Sequence, residues 1–169
     1  MKCSKKMLTR INNIKKIGVI SDTHIPNSMR QLPAKLFKVF KDVQLIIHCG
    51  DITTEEVLME LGQIAPTEAV KGNMDTHLTL PKQTHLEING KYIICATHPG
   101  GSHNAAIQTA YKLFKDSNPY MILFGHTHTP FSGLYNGVKM FNPGSCASGT
   151  VGILTVGLKE IKSKIVSVK

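Results

Sequence analysis

Short apolar runs along this chain end repeatedly in polar clusters. Ile17–Ile20 leads into Ser21-Asp22-Thr23-His24, and Leu45–Ile47 into His48-Cys49-Gly50-Asp51. Tyr92–Ala96 leads into Thr97-His98-Pro99-Gly100-Gly101, and Met121–Phe124 into Gly125-His126-Thr127-His128. Runs this short, bounded by Gly or Pro, predict buried strands, because a buried helix needs at least two more turns. Each strand would present its polar cluster at its C-terminal edge, where open α/β sheets hold their ligands.

Helical spacing appears between the runs. Leu32–Phe40 has Pro33 near its start and Leu32, Leu36, Phe37 and Phe40 along one side. Thr53–Leu61 has Thr53 or Thr54 to cap it, Glu55 and Glu56 early, and Val57, Leu58 and Leu61 for a core. A third helix begins after Ser102 and carries Ile107, Ala110, Tyr111 and Phe114. The second half is richer in strands. Asn89-Gly90 and Asn136-Gly137 predict tight hairpins, joining His85–Ile88 to Lys91–Ile94 and Gly133–Tyr135 to Val138–Phe141. Val151–Leu158 and Ile161–Val168 add two further strands. The pattern predicts an α/β protein with two facing sheets and helices outside them.

At 169 residues the chain has the length of one domain and needs no disulfide to hold it together. Its formal charge of +9 is concentrated at the ends: residues 1–16 supply six positive charges and 159–169 a net three. Residues 17–158 hold ten basic and ten acidic groups. Residues 1–16 are therefore read as a basic N-terminal extension and 17–169 as a single domain. A neutral body argues against a broad nucleic-acid footprint and leaves nucleic acid only as a substrate. Cys3, Cys49, Cys95 and Cys146 are scattered, and three adjoin apolar runs, as small buried hydrophobes do. No apolar run approaches the ~18 residues of a membrane span, and a reducing cytoplasm is expected.

If the first strand continues that far, Asp22 and His24 share one of its sides and converge on one point. Alone, the pair reads equally as a turn-capping Asp and a surface His. It is joined by Gly50-Asp51, Gly72-Asn73, Thr97-His98 and Gly125-His126-x-His128, which together supply two Asp, one Asn and four of the eight histidines. Such mixed donors suit Mn²⁺, Fe²⁺, Co²⁺ or Zn²⁺, and the lack of cysteine argues against a thiolate zinc site. Seven ligands exceed the need of one ion and suit two that share a carboxylate. That arrangement hydrolyses phosphate esters by acidifying a shared water and clamping the phosphoryl oxygens.

The ordered set Asp22-x-His24, Gly50-Asp51, Gly72-Asn73, His98 and Gly125-His126-x-His128 resembles the calcineurin-like metallophosphoesterase family, over about residues 17–150. Gly72-Asn73-Met74-Asp75 and Asn142-Pro143-Gly144-Ser145 are similar to its compact bacterial and archaeal phosphodiesterases. Asp22-Thr23-His24-Ile25-Pro26 and the Gly144-Ser145 region also resemble the retromer scaffold subunit, a non-enzymatic relative. The resemblance implies an α/β/β/α sandwich of two mixed sheets. It implies that Asp22, His24 and His128 hold the first metal, that Asn73, His98 and His126 hold the second, and that Asp51 bridges them. Asp51, His98 and His126 are the expected catalytic residues. The implied reaction is phosphodiester hydrolysis by a metal-bridging hydroxide, with Mn²⁺ the first choice of ion and Fe²⁺, Co²⁺, Ni²⁺ or Zn²⁺ as alternatives. A small phosphodiester is the expected partner, and a homo-oligomer is compatible with the sequence. The competing readings are a non-catalytic scaffold or protein-binding module and a phosphomonoesterase.

The sequence departs from the family pattern at two places. Met74 stands where many phosphomonoesterases of the superfamily have a histidine near the leaving group, which points toward diesters. Pro99 separates His98 from Gly100-Gly101, where the compact relatives run directly into Gly; His103 is the alternative imidazole if the loop shifts. Asn142 and Ser145 are read as shaping a Pro-Gly turn, with phosphate donation as the alternative. His48 is read as a packed strand-end residue, with support of Asp51 as the alternative, and His77 and His85 as solvent-facing. Cys49 and Cys95 lack a base, which argues against a cysteine nucleophile.

Overall fold

The computed structural model describes residues 7–169. The chain begins with strands β1 (Leu8–Ile11) and β2 (Lys16–Ile20), helix α1 (Ala34–Val39), strand β3 (Leu45–His48) and helix α2 (Glu55–Gly62). Strands β4 (Thr67–Ala69), β5 (Gln83–Ile88) and β6 (Tyr92–Thr97) follow, then helix α3 (His103–Phe114) and strand β7 (Met121–Phe124). The chain ends with β8 (Phe131–Tyr135), β9 (Val138–Asn142), β10 (Thr150–Val156) and β11 (Ile161–Ser167). One sheet has the order β1-β5-β6-β7-β9-β8 and the other β11-β10-β2-β3-β4. Both are mixed: β2-β3-β4 and β6-β7-β9 pair in parallel, while β5-β6, β8-β9, β10-β11 and β10-β2 are antiparallel.

Strand alternation sorts the apolar side chains into layers. Ile17 and Val19 of β2 and Leu45 and Ile47 of β3 share one buried cluster with Leu86, Ile94, Leu123 and Phe141 of the other sheet. Ile20 and Ile46, one residue out of phase, join Leu36 and Phe40 beside α1 and Val57 and Leu61 of α2. Cys95, Ile122, Phe124 and Met140 pack with Ala106, Ile107, Ala110 and Phe114 of α3. The result is the α/β/β/α sandwich, each fully buried Leu, Ile or Phe contributing about 1.5–3 kcal/mol. Gly18 lets Phe40 lie flat on the sheet, since a Cβ there would stand 2.9 Å from the ring.

Both hairpins form at the expected dipeptides. Asn89 and Gly90 have φ of 54° and 64°, and Asn136 and Gly137 of 48° and 79°, the left-handed pairs of a type I′ turn. The basic segment 1–16 is more than an extension where it is described. Leu8–Ile11 pairs in parallel with β5, Leu8 opposite His85 and Ile11 opposite Ile88. Residues 1–6, with Cys3, lie outside the described residues. Thr54 and Ser102 occupy the N-cap positions of α2 and α3, but neither side chain makes a capping hydrogen bond.

One reading of a histidine is corrected. His85 is buried at 5% exposure, not solvent-facing. Alternation turns it away from Leu86 onto the sheet face that α3 covers. There its ring meets Phe114 edge-on at 5.1 Å and its Nε2 is 3.2 Å from Ser117 Oγ. His77 is exposed, as read.

Candidate metal centre

The loops leaving β2, β3, β6 and β7, together with the loop after β4, converge at one end of the sandwich. Their backbones are locally unusual. Asp22, His24, Asp51, Thr53, His126 and His128 all have positive φ, between 47° and 77°. Every other non-glycine residue with positive φ among the described residues is an Asn, the type that tolerates this region best. Left-handed Asp, His and especially Thr cost of order 1–3 kcal/mol each, and such strain concentrates at functional sites. Hydrogen bonds between loops hold it in place: Asp22 N to Gly50 O (3.0 Å), His24 N to Asp51 O (3.1 Å) and Cys146 N to Ser21 O (2.9 Å).

The structure brings the seven candidate side chains into one connected group. Asp22 Oδ1 lies 3.2 Å from His128 Nε2, 3.7 Å from His24 Nε2 and 3.9 Å from His98 Nε2. Asp51 Oδ2 lies between two of these rings, 3.3 Å from His98 Nε2 and 3.6 Å from His24 Nε2. His24 and His128 face each other with their Nε2 atoms 3.4 Å apart. His126 Nδ1 is 3.2 Å from Asn73 Oδ1, and the His126 ring is edge-on to His98 with centroids 5.3 Å apart. Pro99 has not carried His98 out of the group. His103 stands outside it, on the first turn of α3, edge-on to Phe131 at 5.4 Å.

At Asp22, Asp51 and His98 the ligand-capable atom is aimed by a contact at the other end of the side chain. Asp22 Oδ2 accepts from Ser21 Oγ (2.5 Å) and His126 N (3.1 Å), so Oδ1 points inward. Asp51 Oδ1 accepts from Met74 N (2.8 Å), which directs Oδ2 toward the imidazoles. His98 Nδ1 donates to Cys49 O (2.7 Å), leaving the Nε2 lone pair for the site. Asp22 Oδ1 and His98 Nε2 are buried and have no hydrogen-bond partner. A buried orphan acceptor is costly unless a cation satisfies it. Asp22, His24 and His128 form one three-ligand group, and Asp22, Asp51 and His98 a second. These oxygen and imidazole donors fit divalent ions.

The electrostatics agree with that geometry. Burial alone would raise the Asp22 carboxyl pKa, but His24, His98, Ser21 and His128 outweigh it and hold the pKa below the usual value. Burial opposes His98 and Met74 N–H in the same way at Asp51, whose pKa is also lowered. The His24 pKa is raised by Asp22 against the effect of burial. At His98, burial lowers the pKa but is overcome by Asp51 and Asp22, and the net shift is upward. Carboxylates that raise the pKa of the imidazoles beside them also favour a divalent cation there.

Asp75 and His48, outside the candidate donors, shape the Asp51 loop, and the sequence pattern showed only part of this. Asp75 is buried at 1% exposure, and its carboxylate accepts from the N–H groups of Gly72 (2.7 Å), Asp51 (3.0 Å), Ile52 (2.7 Å) and Thr53 (2.7 Å). The signal available was an acid two residues after Asn73; its four donors come from turns whose folding no periodicity encodes. Gly72 is needed for the same approach, since a Cβ there would lie 2.1 Å from Asp51 Oδ1. His48 is fully buried, accepts from Gly50 N at Nδ1 (3.2 Å) and meets Thr23 Oγ1 through Nε2 (3.2 Å). Desolvation lowers its pKa to about 4, so it is the neutral ring that braces both loops. It is thus both a packed strand-end residue and a support for the Asp51 turn.

Asn142 and Ser145 serve the turn. Asn142 Oδ1 accepts from Gly144 N (2.8 Å) and its Nδ2 donates to Thr127 Oγ1 (3.0 Å), while Ser145 Oγ donates to Asp22 O (3.1 Å). Cys49 and Cys146 are buried free thiols. Burial pushes the Cys49 pKa far up and that of Cys146 to about 12, the opposite of nucleophile activation.

A two-sheet sandwich with carboxylates and imidazoles gathered on its strand-end loops defines a metallophosphoesterase-like protein. Residues 16–164 match the calcineurin-like phosphoesterase superfamily domain, and the chain belongs to that superfamily. It is 38% identical over 134 residues to a probable metallophosphoesterase of Methanothermobacter thermautotrophicus, covering 76% of each chain. A phosphodiesterase of Methanocaldococcus jannaschii is 31% identical over 168 residues, with 88% of this chain and 95% of that one covered. The crystal structure of Zn²⁺-complexed Vps29 from Entamoeba histolytica shares the fold, with TM-score 0.70 and 20% identity over 91% of this chain and 99% of that one. That likeness matches the resemblance to the retromer scaffold subunit. No helix among the described residues is long and apolar enough to cross a membrane.

Proposed function

We propose that this chain is a dinuclear metal-dependent phosphodiesterase of the cytoplasm. Asp22, His24 and His128 would hold one divalent ion, Asn73, His98 and His126 the other, with Asp51 between them and Mn²⁺ the first choice of metal. Bound there, the ions would supply Lewis acidity and an activated water for phosphoester hydrolysis. The observation that carries the reading is the Asp51 carboxylate, whose Oδ2 stands between His24 and His98 at 3.6 and 3.3 Å. Asp51, His98 and His126 are the proposed catalytic residues. The scaffold reading rests on fold likeness and on the Asp22–Pro26 and Gly144-Ser145 segments; the convergence of seven candidate donors on strained backbone supports the hydrolase reading.

The protein's own groups favour diesters. Met74 is 47% exposed, and its backbone N–H donates to Asp51 Oδ1. Its thioether carries no proton for a departing alkoxide, a contribution typically worth 10²–10⁴ in rate. Good leaving groups need that proton least, and a diester brings only one negative charge to the site. With Mn²⁺-loaded protein, kcat/KM for bis(p-nitrophenyl) phosphate is expected to exceed that for p-nitrophenyl phosphate by at least tenfold. Met74→His is expected to raise monoester turnover selectively. Equal or faster monoester turnover by the wild type would overturn the diester preference.

A further inference from the structure

A cleft of about 660 Å³ opens from the metal centre on the side of Asn73 and His98, and the ligand groups alone do not account for it. It is lined by Lys71, Lys82, Gln83, Thr97, Pro99 and Leu113 in addition to those two residues and their neighbours. Its volume falls in the range of small-molecule sites. No carboxylate lines it, although residues 17–158 as a whole carry equal numbers of acids and bases. The two lysines are local cations without local counterions: neither ammonium group enters an ion pair among the described residues.

Backbone hydrogen bonds hold the two lysine-bearing segments in place beside the cleft. Lys71 N donates to Pro81 O (2.7 Å), and Thr97 Oγ1 donates to Lys82 O (3.2 Å). Gln83 is registered opposite Thr97 across the β5-β6 pair. Lys71 directly precedes Gly72-Asn73, and Thr97 directly precedes His98, so the two lysine-bearing segments are tied to two metal-side residues. Pro99 and Leu113 add apolar surface to the same cleft.

We infer that this cleft binds a second phosphate on one arm of the substrate, making the preferred substrates organic phosphodiesters that carry a further phosphate. The inference rests on the phosphodiesterase reading for its reaction. The scissile diester would lie at the metal centre, the organic body of one arm against Pro99 and Leu113, and the second phosphate against Lys71 and Lys82. Two lysines lining one cleft attract a dianion more strongly than the same charges scattered over the surface do.

The test compares the p-nitrophenyl ester of adenosine 5′-monophosphate with its 3′-phosphorylated counterpart, using Mn²⁺-loaded full-length protein. The wild type is expected to prefer the 3′-phosphorylated ester by about tenfold or more in kcat/KM, chiefly through KM. That ratio should fall toward one in Lys71→Ala/Lys82→Ala and stay high in Lys162→Ala/Lys164→Ala, a change of equal charge on β11, away from the cleft. Equilibrium dialysis of adenosine 3′,5′-bisphosphate against adenosine 5′-monophosphate gives a second reading that needs no turnover. The bisphosphate should bind at least tenfold tighter, with the advantage lost in the double variant. Absence of a preference in the wild type, or its survival in a folded double variant, overturns the inference. Failure to hydrolyse any diester would overturn the reaction assignment, while the dialysis ratio would still decide the cleft.

Discussion

The Asp75 carboxylate accepts four backbone N–H groups, three of them from the consecutive residues Asp51, Ile52 and Thr53. That cradle holds Asp51 and Thr53 at φ of 56° and 75° and so orients the proposed bridge. Asp75→Asn keeps the volume but turns an amide NH₂ against donors. The expected outcome is a 10- to 100-fold fall in diesterase activity with weaker metal binding and about 2–4 kcal/mol less stability, measured by turnover, metal titration and urea unfolding. An unchanged metal affinity would show that Asp75 does not position the site. His48 gives a pH test. Its folded pKa of about 4 lies below the unfolded 6.5, so the unfolded chain binds the extra proton between these values. This contribution is therefore complete above pH 6.5 and lost as pH falls toward 4. On acidification across that window the wild type should lose about 3 kcal/mol more stability than His48→Gln, read from urea unfolding at each pH. Parallel curves would show that burial does not hold His48 neutral. The candidate donors were legible in the sequence because each lies in a polar cluster that follows an apolar run or a glycine. The roles of Asp75 and His48 were less so, since both depend on how separate turns meet.

At the scale of elements, legibility followed burial. Strands β2, β3, β6 and β7 are nearly or fully buried and announce themselves as apolar runs, and the two Asn-Gly turns mark their hairpins directly. Strand β1 is mostly exposed and held by pairing with β5, while β4 has only three residues, so neither has a periodicity to read. His85 was misread because alternation assigns a face but not what covers it; α3 and the turn after it do that. The packing of α1 offers a test of the layer contacts. Gly18→Ala would place a Cβ 2.9 Å from the Phe40 ring, whose burial leaves it little room to move. A loss of about 1–3 kcal/mol is expected from the urea midpoint, with an unchanged denaturant slope. A neutral effect would mean that the helix rides more loosely on the sheet than the structure describes.

For the molecule as a whole, two mixed sheets bring loops from distant parts of the sequence to one end. Asp22 and His126 are 104 residues apart in sequence, yet their loops share a hydrogen bond. The buried layers supply the stability that lets six non-glycine, non-asparagine residues adopt left-handed backbone at that end. What the layers hold there is a set of candidate donors that includes Asp22 Oδ1 and His98 Nε2, both buried and without a hydrogen-bond partner. In the proposed mechanism two ions act together across Asp51. Titrating metal-free protein with Mn²⁺ while following bis(p-nitrophenyl) phosphate hydrolysis tests it most directly. Activity should reach its plateau at two ions per chain, and Asp51→Asn should remain folded with activity lowered more than a hundredfold. A plateau at one ion per chain, or full turnover by metal-loaded Asp51→Asn, would contradict the account.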